Sequence, residues 1–140
     1  MQPQTRRLAA ILLIVYPAVV YGGGALLMQL VHKQHGYVDN PLREDLWRAG
    51  HAHAGVLLVL SLVLLRYVDE AYLSPAWKTF ARHSTPLAAI LLPVGFFLSM
   101  LSPDATSPNA LIYCVPAGGL LLTAGFFTLG IGLLRRPPGT

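Results

Sequence analysis

Four stretches of this chain are each apolar over roughly the 20 residues that a helix needs to cross a hydrocarbon core of about 30 Å. They run from about Leu8 to Val31, Leu46 to Tyr67, Pro86 to Leu101 and Ala110 to Leu134. The third is the shortest, and "TFARHST" before it could extend it as an amphipathic lead-in. Of 140 residues, 54% are hydrophobic and 11% charged, against about 25% charged in ordinary soluble domains. No long charge run or Ser/Gly linker divides the chain. The expected fold is therefore all-α: one integral-membrane domain over residues 1–140, built as a four-helix bundle.

With four spans, the N-terminus, the middle loop and the C-terminus share one side. That side carries Arg6, Arg7, Arg66, Lys78, Arg82, Arg135 and Arg136, whereas the other has Lys33, Arg43 and Arg48. By the positive-inside rule both termini are expected in the cytoplasm. The opening "MQPQTRRLAAILLIVYPAVV" also fits a signal peptide, but it is expected to be kept as the first span. A net charge of +4 then reflects topology and attraction to anionic lipid rather than nucleic-acid binding.

The stretch "WRAGHAHAGVLLVLSLVLL", beginning at Trp47, places two histidines at the mouth of an apolar run. In this topology His51 and His53 lie about one turn inside the outer interface, with His32 and His35 in the loop above. His83 lies at the cytoplasmic side, a bilayer thickness of about 30 Å away. Residues two apart on a helix point about 200° apart, so His51 and His53 suit two sites rather than one mononuclear centre. Gly50, Ala52, Ala54 and Gly55 around them leave room for a flat macrocycle or for another helix at close range. Ionisable groups inside a membrane are costly and usually functional.

The segment "LWRAGHAHAGVLLVLSLV" resembles the haem-ligand helices of subunit I of the haem-copper oxidases and nitric oxide reductases, and the short membrane proteins of the NnrS type. In that oxidase subunit, twelve helices form three arcs of four, and a His-x-His pair on one helix ligates two different haems. The resemblance implies b-type haem with His51 and His53 as ligands of the haem iron. It also implies a homotrimer of four-span chains and a bacterial-type inner (plasma) membrane. It does not extend to oxygen reduction, because the chain has no adjacent His-His pair, no Tyr paired with a copper-ligand His and no acidic residue within these spans.

Arg48, three residues before His51, could hold a haem propionate in a bidentate pair or snorkel to lipid headgroups. Arg43 and Lys33 are weaker candidates of the same kind. "YGGG" at Tyr21 and the spacing Ala124, Thr128, Gly132 permit close helix contacts. Pro17, Pro93 and Pro116 are expected to kink their spans. The lone Cys114 has no disulfide partner in the chain and reads as packing, and "DEAYLSPAW" reads as a polar turn.

No phosphate loop, G-x-S-x-G or paired-Cys motif supports a hydrolase or kinase. Three functions stay open. The leading one is a haem protein for electron transfer or diatomic-gas handling, with any enzymatic role being that of a haem-dependent oxidoreductase. The others are a zinc or copper protein using His53, His32 and His35, and a cofactor-free accessory subunit of a membrane complex.

Overall fold

The computed structural model describes residues 1–135. Four helices follow one another: α1 (Pro3–Val31), α2 (Pro41–Val68), α3 (Pro75–Ser99) and α4 (Cys114–Leu134). All four are long and apolar enough to cross a membrane, the fourth span including the 3-10 turn Ala110–Tyr113 before α4. Arg136, counted above among the cytoplasmic cations, lies outside the described residues.

The helix starts follow from local chemistry. α1, α2 and α3 each begin with proline, whose missing N–H costs nothing in a first turn and whose φ is already helical. Asn40 caps α2 by accepting from the Arg43 N–H, and Asn109 caps the 3-10 turn by accepting from the Leu111 N–H. Third-span residues from Pro75 to Thr85 belong to one continuous helix with the apolar stretch, so the lead-in is the first half of α3. Pro17, Pro86 and Pro93 are interior to their helices. Pro116 is not. It falls in the first turn of α4, just after the 3-10 turn Ala110–Tyr113.

The helices alternate in direction and pack as a curved row in chain order, α1 on α2, α2 on α3 and α3 on α4, with a lesser α2–α4 contact. The start of α1, the 69–74 turn and the end of α4 meet at one face: Gln2 N–H donates to Asp69 Oδ2, and Tyr72 N–H donates to the Gly132 carbonyl. Loops 32–40 and 100–109 meet at the opposite face. Half of the most apolar stretch of α3 is buried within the chain, against 6% of that of α1. α1 is thus an edge helix that packs along its length on α2 alone.

What seats α4 against α3 and the 69–74 turn is a stripe of glycines seven residues apart, a spacing that keeps them on one face. Gly118, Gly125 and Gly132 are all buried. A β-carbon on Gly118 would meet Leu92, one on Gly125 would meet Ser84 Oγ and Cβ, and one on Gly132 would meet Leu73. Lipid supplies no hydrophobic drive between spans, so close van der Waals contact of this kind carries the packing. The stripe differs from the expected one: Ala124 is exposed, and Thr128 turns its hydroxyl back to the Ala124 carbonyl.

At the loop face, Arg43 is buried and donates to three carbonyls, Nε to Met100, Nη1 to Gly36 and Nη2 to Leu101. Its guanidinium carbon lies 3.9 Å from the Trp47 ring centroid. One side chain therefore joins both loops to α2. Gly36 makes this possible, because its φ of 75° and the closeness of Pro103 leave no space for a side chain.

Candidate functional site

The loop-face end of α2 carries the two histidines, and the helix holds them on different flanks. His53 directs Nδ1 to the Ala49 carbonyl one turn back, 2.7 Å away, and its ring lies 5.1 Å from that of Phe96 on α3. A carbonyl only accepts, so Nδ1 carries the proton. The neutral ring then has its free lone pair on Nε2, the arrangement that metal-binding imidazoles use. The His53 side chain is exposed on the helix surface.

His51 is half-buried and turns to α1. A β-carbon on Gly23 would stand 2.7 Å from its Nε2, so the ring occupies a notch that glycine opens in α1. Along the same flank Tyr16, His51, Ala52, Gly55 and Val56 line an open groove of about 440 Å³. The two rings thus sit against different neighbouring helices, as their spacing of two predicts.

The small residues around the two rings differ in what they face. Gly50 is filled by α3, since a β-carbon there would meet Phe96 and Phe97 at 3.0 Å. Gly55 makes ordinary contact with Val19 of α1. Ala52 faces the open groove. The "YGGG" segment works chiefly through Gly23, whereas Gly24 faces open space.

Arg48 is exposed and pairs with Glu44 at 3.5 Å, one turn nearer the loop face than His51. Arg43 is withdrawn from the propionate candidates, because it is buried with all three nitrogens on loop carbonyls. His35 pairs with Asp39 through Nδ1 and faces Asp104 through Nε2 at 3.8 Å. Asp39 Oδ1 also accepts the Gly36 N–H. Slight burial pushes the Asp39 carboxyl up, but the Gly36 N–H and His35 outweigh it and hold it below the usual carboxylate range. Among the described residues no three His, Cys, Asp or Glu side chains gather to hold a metal ion, so His53, His32 and His35 do not form a three-ligand zinc or copper set within one chain. His83 lies at the other end, its Nδ1 on the Thr79 carbonyl, beside Gln4, Arg7 and Leu8.

A second polar centre was not foreseen from the sequence. At the termini face Arg82 is 2% exposed and donates from Nε to Thr5, from Nη1 to Gln4 and from Nη2 to Gln2 and Asp69. Asp69 also accepts from the Thr5 hydroxyl and the Gln2 N–H. The network ties the start of α1 to α3 and to the 69–74 turn. Its signal in the sequence was a charge on each side of the turn, Asp69 and Arg82, in a chain with few charges.

Burial pushes the Asp69 carboxyl up, yet the Gln2 N–H, the Thr5 hydroxyl and Arg82 together hold it below the usual range. A carboxylate whose folded pKa is depressed contributes stability that is complete above its unfolded value of about 3.9 and is lost as pH falls through the folded value. Unfolding in detergent should therefore be insensitive to this group above about pH 5, with stability falling below about pH 4. Asp69→Asn should flatten that acid limb. A denaturant titration at several pH values reads both.

Compared with protein-family models, with curated proteins and with solved structures, the chain has no significant match.

Proposed function

We infer that this chain is a membrane haem-binding protein, with b-type haem ligated by imidazole at the loop-face end of α2. The supporting observation is His53: an exposed ring, its Nδ1 proton fixed on the Ala49 carbonyl and its Nε2 lone pair free, beside the aromatic face of Phe96. These features would let His53 hold haem iron without rearrangement. His51 fits once its ring leaves the Gly23 notch for the adjoining groove, where the Tyr16 ring and Val56 supply an apolar wall. Arg48 would hold propionates near the interface, exchanging its weak exposed partner Glu44 for a carboxylate of the ligand.

Because the two rings lie on different flanks of one helix, His53 of one copy and His51 of a neighbour form the natural pair of ligands. A curved row of four helices with α1 and α4 at its edges suits a ring of three copies, which would rebuild a twelve-helix plan. The haem would supply one-electron or diatomic-gas chemistry, and the chain would supply ligands, orientation and a dry setting. The setting proposed is a bacterial-type inner membrane with both termini cytoplasmic, following the Lys/Arg asymmetry.

Optical spectroscopy of the purified, reduced protein tests the reading. A Soret band is expected. His53→Ala should lose the haem or its low-spin spectrum, His51→Ala should convert low spin to high spin, and His83→Ala should change neither. A chain that stays colourless after incubation with haem sinks the proposal. A second reading, a cofactor-free subunit, draws on the seating of His51 in the Gly23 notch. It requires that His51→Ala loosen α1 while no variant alters any spectrum.

A further inference from the structure

The unforeseen polar centre opens on one side into a cleft of about 380 Å³ lined by Gln2, Gln4, Pro75, Lys78, Thr79 and Arg82. Two cations border it. Arg82 is buried, and Lys78 is half-buried with Nζ donating to the Asp69 backbone carbonyl, 3.0 Å away. Against them the network sets one carboxylate, Asp69, 3.4 Å from Arg82. Lys78 touches Asp69 through a neutral carbonyl, so one positive charge is left over at the cleft. Removing a charge from water without an opposite partner is expensive. The nearby carboxylate Glu70 is occupied by Arg66.

The backbone adds to this excess. Gln2 is the N-cap of α1 and Pro75 the first residue of α3, so both helix starts border the cleft; Asp69 already answers that of α1 by accepting the Gln2 N–H, and the start of α3 supplies the positive end. Neither helix has an acidic residue in its first turn, and neither cap side chain bonds a backbone N–H there. The amide groups of Gln2 and Gln4 and the Thr79 hydroxyl supply neutral polar groups around the rim. A cleft at a span end with surplus positive charge, several N–H donors and no free carboxylate is matched by a phosphate group.

We propose that the cleft between the starts of α1 and α3 binds a phosphate oxyanion, with Lys78 as its charge partner and Arg82 as the buried cation behind it. The placement at the end of two spans favours the headgroup of an anionic phospholipid, and free phosphate has the same chemistry. The proposal is independent of haem binding.

The test uses the purified full chain. Native mass spectrometry after extraction from vesicles of equimolar phosphatidylcholine and phosphatidylglycerol should show phosphatidylglycerol retained in preference. Lys78→Gln should weaken that retention about fivefold, and Lys78→Arg should restore it. In the second arm, melting in neutral detergent is followed with and without inorganic phosphate. A phosphate-dependent rise in Tm that Lys78→Gln removes assigns the site to the free ion. Lys78→Gln leaves the Arg82 bonds to α1 in place, and circular dichroism verifies its fold. Equal retention of the two lipids with a phosphate-insensitive Tm overturns the proposal. Binding that Lys78→Gln leaves unchanged in both arms also overturns it.

Discussion

Gly125→Val is expected to destabilise the protein by about 3 kcal/mol, because the new side chain is driven into a packed interface that cannot yield. A β-carbon at Gly125 would fall 1.9 Å from Ser84 Oγ and 2.6 Å from Ser84 Cβ. Ser84 is 1% exposed and short, and its hydroxyl is bonded to the Ala81 carbonyl, so it has nowhere to go. The only relief is to separate α3 from α4, which forfeits the contact of Gly118 with Leu92 as well. Gly130 is the control: nothing lies within 4 Å of a β-carbon there, so Gly130→Val should stay within about 0.5 kcal/mol of the parent. Unfolding in a graded denaturing detergent reads both. Equal stability of the two variants would show that α4 does not pack through this stripe.

Arg43→Ala should cost roughly 3–5 kcal/mol, by stranding carbonyl acceptors and removing a charge-assisted donor set together. Its guanidinium bonds Gly36, Met100 and Leu101, which lie in the two loops that close the face near the histidines. Arg43→Lys should recover only a small part, since an ammonium is a point charge without the planar fork that reaches three carbonyls and stacks on Trp47. Arg48→Ala, at an exposed pair with Glu44, should change stability by less than about 1 kcal/mol. If the alanine variants of Arg43 and Arg48 proved equally stable, the role of Arg43 in joining the loops would be wrong. If His53 binds haem, Arg43→Ala should also broaden its spectrum, because the start of α2 loses its anchor.

Two arginines five positions apart show how far the sequence reached. Arg43 and Arg48 both lie near the start of the second span, and composition alone assigns them similar interfacial roles. Their environments differ because Arg43 turns to the loop carbonyls while Arg48 turns to solvent. A helix of 3.6 residues per turn sets which face each occupies, but the loops that supply the carbonyls come from positions 36 and 100–101. No local pattern announces that meeting.

The buried face of α3 makes the same point. Arg82, Ser84, Thr85 and Ser99 are buried, while Ile14, Leu120 and Leu134 on the other helices are exposed. In a soluble protein the apolar stripe marks the core. In lipid, large apolar side chains can face outward without cost, and small or polar ones turn inward to pack closely and find partners, Thr85 being the exception with a buried Oγ1 that has no hydrogen-bond partner among the described residues. A reading that followed hydrophobicity therefore passed over the Arg82–Asp69 network and the Gly118–Gly125–Gly132 stripe.

The sequence by itself determined the number of spans, the approximate limits of three of them, and the placing of His51 and His53 on different flanks of one helix, while α3 begins at Pro75, well before the apolar stretch from Pro86. Those properties depend on the length of apolar runs and on the helical repeat, both of which are local. Tertiary structure alone decided which glycines serve as contact surface and that His51 lies in a notch of α1 while His53 keeps Nε2 free. It also decided that Arg43 and Arg82 are internal cations at opposite ends of the bundle. Each of these depends on which distant backbone or side-chain atoms come within a few ångströms, and helix packing sets that distance.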